Sequence, residues 1–111
     1  MEQSVLMVRN YNLEELCGLL SKPYEFEKAD KNSKIYKYVI EANELDWQWF
    51  PTEWHHQGGG GYGDIGEFFG IISGFEFELG YFSLYDFSSI PSIRFYWYEI
   101  EPMTQSEIDA L

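Results

Sequence analysis

Residues 34–54 read KIYKYVIEANELDWQWFPTEW, and the fold turns on how this stretch is laid out. Its first part, KIYKYVIEA, is rich in β-branched and aromatic residues. It also alternates, with Tyr36, Tyr38 and Ile40 on one side and Lys37 and Glu41 on the other. A period of two is the signature of a strand. EANE then supplies a turn, and LDWQWFPTEW alternates again, placing Trp47, Trp49 and Glu53 on one face and Asp46, Gln48 and Thr52 on the other. Strands so closely linked pair as an antiparallel hairpin, because a parallel crossover takes about a dozen residues. Pro51 cannot donate a ladder hydrogen bond, so its position belongs at an edge or a bulge.

Working outward toward the C-terminus, residues 55–66 (HHQGGGGYGDIG) read by composition as a flexible loop. Residues 67–79 (EFFGIISGFEFEL) read as a third strand, bent at Gly70 or Gly74, and GYFSL continues it or begins a fourth element. Ser83 and Asp86 can cap a short turn before Pro91. SIRFYWYEI alternates as the last long strand, Ile93, Phe95 and Trp97 opposed to Arg94, Tyr96 and Tyr98. Thr104 and Glu107 form a capping-box pattern for a short final helical turn. On the N-terminal side, residues 12–21 read as a helix capped by Asn12, with Glu15 completing a capping box. Leu13, Leu16, Cys17 and Leu20 share one face, Pro23 stops the helix, and residues 24–34 form a polar connection. The expectation is one domain over residues 1–111, of α+β class. It is a curled antiparallel sheet of four or five strands packed against an N-terminal helix, with a short C-terminal helical turn.

With 45% hydrophobic and 20% aromatic residues, the chain has ample material for a core. Four tryptophans, nine tyrosines and nine phenylalanines exceed what one sheet face needs, so some belong on the second face or on an exposed patch. The apolar stretch 68–75 falls far short of the roughly 20 residues of a spanning helix, and MEQSVLMVRNYN lacks the marks of a secretory signal. A cytoplasmic protein is expected, with no membrane contact. Cys17 is the single cysteine, which leaves no intrachain disulfide and no cysteine-based zinc site; on a helix it reads as a small buried apolar residue.

Charge is unevenly divided. Residues 1–37 hold six acids and six bases, whereas residues 38–111 hold thirteen acids and one base, Arg94, and so carry the whole net charge of −12. Such a field repels phosphates and attracts basic partners over about 8 Å at physiological ionic strength. Direct nucleic-acid binding is therefore not expected. Because Glu41, Asp46, Glu53, Glu76, Glu78 and Glu99 fall within the strand readings, one sheet face is expected to be acidic as well as aromatic.

Two segments, DWQWFPTEW at 46–54 and EFFGIISGFEFELGYFSL at 67–84, resemble in order and separation the bacterial domain-of-unknown-function family numbered 2958. The resemblance spans roughly residues 13–107 and is carried by Trp47, Trp49, Thr52, Glu53, Phe68, Phe69, Gly70, Gly74, Glu76, Glu78, Leu79, Gly80, Tyr81, Phe82, Ser83 and Leu84. It implies a short cytosolic protein of the kind carried on plasmids, integrated elements and phage, and it brings no activity with it. The glycine-rich stretch departs from the family pattern.

Several clusters invite chemical readings. His55 and His56 beside Glu53 and Asp64 suggest a metal, but adjacent histidines on an extended chain point opposite ways and no third ligand of fixed spacing follows. GGGGYG is not followed by the Lys-Ser/Thr of a phosphate loop. Glu76 and Glu78 alternate on a strand and could join Glu53 as acid and base. The expected site is therefore a binding surface of Glu53, Glu76, Glu78, Trp47, Trp49, Trp54, Tyr81, Asp46 and Glu99, with no catalytic residue, metal or cofactor. Its expected partner is a basic, nucleic-acid-handling protein, and a homodimer is compatible with it. The alternative is a small-ligand binder or hydrolase-like enzyme with Glu53, Glu76 and Glu78 converging under the glycine loop. That alternative requires the three on one face.

Overall fold

The computed structural model describes residues 8–20, 32–60, 63–83, 87, 89 and 92–111, of which 56–60 and 63–65 are described as backbone only. The elements in chain order are α1 (Leu13–Leu19), β1 (Tyr36–Ala42), β2 (Leu45–Gly60), β3 (Gly63–Ser73), β4 (Phe77–Ser83), β5 (Phe95–Met103) and α2 (Gln105–Asp109). The five strands form one antiparallel open sheet in the order β4-β3-β2-β1-β5. With a helix at each end of the chain, this is an α+β fold. No helix among the described residues is long and apolar enough to cross a membrane.

Both sheet faces are packed. On one, Leu16 and Cys17 of α1 and Leu20, its C-cap, meet Ile40, Ala42, Trp49, Phe68, Phe82, Phe87, Phe95 and Trp97. On the other, Ile108 of α2 seals a smaller cluster of Tyr36, Val39, Phe50 and Ile71. The second core takes four of the aromatic residues, Tyr36 and Phe50 buried and Phe77 and Tyr98 partly so. Asn12 caps α1 by accepting from the Glu14 N–H at 3.0 Å, one residue short of the Glu15 capping box expected. At α2 the full box forms. The Thr104 hydroxyl accepts from Glu107 N–H, and the Glu107 carboxylate accepts from Thr104 N–H at 2.8 Å. The Trp97 indole donates to the Asn12 carbonyl at 2.8 Å, and Asn10 exchanges two backbone hydrogen bonds with Trp97, so the N-terminal segment is stitched to β5.

The register shifts at Tyr36/Tyr38, Ile40/Ala42, Pro51/Glu53 and Gln57/Gly60, and two of these shifts, together with one turn, change the expected layout. Between Pro51 and Glu53 the β2–β3 register shifts, Pro51 pairing with Gly70 but Glu53 with Phe69, so Thr52 is the extra residue of a bulge. Its hydroxyl donates to the Phe69 carbonyl at 3.1 Å. Beyond the bulge the faces exchange, which puts Trp54 on the α1 face with Trp47 and Trp49, and Glu53 on the α2 face. The expected sharing of one face by Trp47, Trp49 and Glu53 is corrected by this one residue. A second shift, against β5 between Tyr36 and Tyr38, carries Tyr36 to the α2 face; Pro102, which has no N–H for the ladder, lies in the matching part of β5. Third, the expected single strand over 67–79 is two strands, because residues 74–76 turn the chain between β3 and β4.

The glycine-rich stretch is corrected as well. Over its described residues, 55–60 and 63–66, it belongs to β2 and β3, whose ladder runs through His56↔Gly66 and Gln57↔Ile65 to Gly60↔Gly63. Trp54 explains one glycine: a Cβ at Gly66 would fall 1.9 Å from its ring. Pro23, the connection over 24–31 and Asp86 lie outside the described residues.

Candidate interaction surface

Register decides which predicted site residues meet. Ile72 pairs with Glu78 and Tyr38 with Glu99, so both acids lie on the α1 face, but on opposite edge strands. Glu53 pairs with Phe69, which pairs with Tyr81, so these three share the α2 face. Glu76 is in the turn before β4, and Asp46 is exposed at the start of β2. Trp49 is buried in the core, and Trp47 and Trp54 pack partly buried against it. The expected single acidic and aromatic sheet face is therefore not formed. Glu53, Glu76 and Glu78 do not converge, so the enzyme-like alternative lacks the arrangement it requires.

What the fold does bring together lies along β4 and its turn. Phe75 is 93% exposed, Tyr81 60% and Leu79 45%, three large apolar side chains within seven residues of one edge strand and its turn. Glu76 and Glu78 stand exposed among them. Phe75 meets the Trp47 ring edge-on at 5.3 Å, and Gly74 lies against the same ring, so the turn is seated beside the start of β2, where Asp46 and the exposed Leu45 follow Glu44. One exposed aromatic, Phe75, therefore sits at this corner of the sheet, with the exposed acids Glu76, Glu44 and Asp46 on its turn and on the adjoining start of β2. On the α2 face of the same edge, Tyr81 packs on Phe69 at 4.9 Å and faces His55 at 6.1 Å. The His55 Nε2 is 2.5 Å from the Glu53 carboxylate.

Two clefts open nearer β1 and β5. One, of about 390 Å³ at the β1–β2 turn, is lined by Glu41, Asn43, Asp46, Trp47, Gln48 and Tyr96 among others. Glu41 is tied there by Gln48 Nε2 at 2.5 Å and by the Tyr96 hydroxyl at 3.2 Å, while the Arg9 guanidinium lies 4.6 Å over the Tyr96 ring. The other, of about 440 Å³, lies between the start of α1 and the start of β5, where Arg94 stacks 4.3 Å from Tyr11. Among the described residues no group of three His, Cys, Asp or Glu side chains is placed to hold a metal ion.

Burial, and then the Glu41 carboxylate, raise the pKa of the Tyr96 and Tyr98 hydroxyls, and burial raises that of Tyr36. Burial likewise pushes the Cys17 thiol up to about 11, with Glu14 adding to the effect. These groups are held neutral in the folded state. Their contribution is fully present below the ordinary values of 9.0 for the thiol and 10.0 for the phenols and is lost as pH rises through the raised ones. Denaturant midpoints are therefore expected to fall between pH 9 and 11 and further above that range. In Cys17→Ala the first part of the decline should flatten. A midpoint independent of pH to 11 would contradict this.

Sequence reasoning missed Phe75, Leu79 and Leu45 as surface residues. The Ser73-Gly74 pair, a turn signal in the middle of the alternation, is what would have exposed the first two. Comparison with protein-family models, curated proteins and solved structures gives no match, so the reading rests on this geometry.

Proposed function

We propose that this chain is a non-enzymatic binding protein that engages a basic protein through the corner formed by residues 75–81 and the start of β2. The observation that carries the reading is the exposure of Phe75, Leu79 and Tyr81 on one edge, interleaved with Glu76 and Glu78, in a region bearing the whole net charge of −12. Exposed aromatics desolvate well against a partner and act as anchors, while surrounding carboxylates steer a basic surface and reject acidic ones. A partner surface built to hold phosphates offers the lysines and arginines that such a corner fits. The resemblance to proteins of mobile elements supports a nucleic-acid-handling host enzyme as that partner. Inhibition, of anti-defence, anti-restriction or anti-CRISPR type, would then follow from occupying its phosphate-binding surface.

The test compares the immobilised chain with a Phe75→Ser, Glu76→Gln, Glu78→Gln variant in capture from bacterial lysate at low salt. Phe75, Glu76 and Glu78 are exposed, so the variant is expected to fold with a stability change of only about 0.5 kcal/mol per site. Basic nucleic-acid-handling proteins should be retained by the wild type, released by rising salt, and depleted about tenfold with the variant. Equal retention by both chains would remove this corner from consideration. Retention of no basic protein would remove the function.

A further inference from the structure

The two edges of the sheet are treated differently. The β5 edge carries Pro102, a register shift and the Asn10↔Trp97 bridge, all devices that end or cover a ladder. β4 has none of them. Its seven residues, FELGYFS, include no proline, lysine or arginine, and its pairing with β3 runs unbroken from Ser73↔Phe77 to Glu67↔Ser83. Among the described residues, 78–82 of β4 are hydrogen-bonded as a strand to β3 alone, so over this length its other side presents a row of backbone donors and acceptors.

Resting on the function proposed above, we propose that the partner docks by strand addition, an extended segment of alternating basic and apolar residues pairing along the outer edge of β4. The alternation follows from the two faces. On the α2 side Leu79 and Tyr81 are exposed and offer apolar cross-strand contacts. On the α1 side Glu78 is exposed and Gly80 is bare, a Cβ there meeting nothing within 4 Å, which leaves room for a long basic side chain beside the carboxylate. Charge selects among occupants. A second copy would bring another −12, setting its own Glu78 in the shared ladder and its Glu76 in the turn beside it, whereas a basic strand complements both acids. Backbone pairing supplies affinity and the side-chain alternation supplies choice of partner.

The probe is an end-blocked octapeptide alternating lysine and valine, titrated into the full chain. Alongside it run a glutamate–valine octapeptide and two analogues of the first, one N-methylated at every valine and the other at every lysine. All lysine peptides carry equal charge, but one methylated analogue loses the donors that face β4. The lysine peptide should bind and slow hydrogen exchange at alternate β4 amides. One methylated analogue should bind at least about tenfold more weakly, as expected for loss of several hydrogen bonds, and the glutamate peptide should not bind. If both methylated analogues bind like the parent while Phe75→Ser weakens all three, strand addition is overturned and charge-led docking at the corner stands. If the lysine peptide does not bind, both readings are overturned. If β4 protection instead grows with protein concentration in the absence of peptide, the edge belongs to a second copy and the basic strand is the wrong occupant.

Discussion

Replacing Gly70 by alanine is expected to cost about 3 kcal/mol or more, at the upper end of what overpacking a core does. A Cβ at this position would lie 2.1 Å from the Phe50 carbonyl oxygen and 2.8 Å from the Pro51 Cα, and both obstacles are backbone. A flexible side chain could swing away; a strand held on both sides cannot. Gly70 pairs with Pro51 on β2 and with Gly80 on β4, so relief would have to open the β2–β3 ladder at the Thr52 bulge. Loss of the Thr52 hydrogen bond to Phe69 would follow. Gly18→Ala is the control. A Cβ there meets nothing within 4 Å, and an alanine near the end of α1 should add about 0.5–1 kcal/mol. Chemical denaturation of the two variants should therefore shift in opposite directions, and a Gly70→Ala midpoint close to wild type would mean that the strands do not approach as described.

The same bulge marks the limit of what local sequence reveals. β1, the first half of β2 and β5 each announce themselves by a period of two, and α1 and α2 by cap and apolar spacing, because those signals depend only on near neighbours. Pro51 even points to an irregularity. Which residue is extra, however, depends on how β2 pairs with β3 nearly twenty positions later, and that single residue decides which face Glu53 occupies. The glycine stretch fails for a related reason. Its composition favours disorder, yet strands pairing on both sides of it carry the ladder through Gly60↔Gly63, an instance of tertiary pairing overriding local preference.

Legibility of the candidate surface was lost in the same way. Phe75, Glu76, Phe77 and Glu78 alternate without interruption, so the period runs across a point where the chain reverses, and Phe75 passes for a core residue. Only the topology shows that β4 is an edge and that Tyr81 and Leu79 are left half uncovered. Glu76 and Glu78 keep a place in the site because they lie in this corner, whereas Glu99, equally acidic and equally in strand, is removed to the opposite edge by strand order alone.

Phe68→Ala is expected to lose about 3–5 kcal/mol, while Phe75→Ala changes stability by no more than about 0.5 kcal/mol. The two phenylalanines are seven residues apart, and each has a glycine within two positions, so sequence alone does not rank them. Their surroundings do. Phe68 is fully buried at the middle of the α1-side core, its ring 4.9 Å from Trp54, 5.6 Å from Phe82 and 6.3 Å from Phe87. Truncation there removes the burial of a whole aromatic ring and leaves a cavity among rigid rings that collapse poorly. The three partners come from β2, β4 and the segment after β4, so the loss is felt across the sheet and not in one hairpin. For a chain of this size it corresponds to a fall of roughly 10 °C or more in Tm. Phe75 makes its one described ring contact with Trp47 at the surface, and its removal uncovers little. Its effect should appear in partner capture instead. A Phe75→Ala protein that melts as early as Phe68→Ala would place Phe75 in the core and take from the acidic corner its main anchor, whereas a normal melting curve with lost capture would separate binding from folding at this edge.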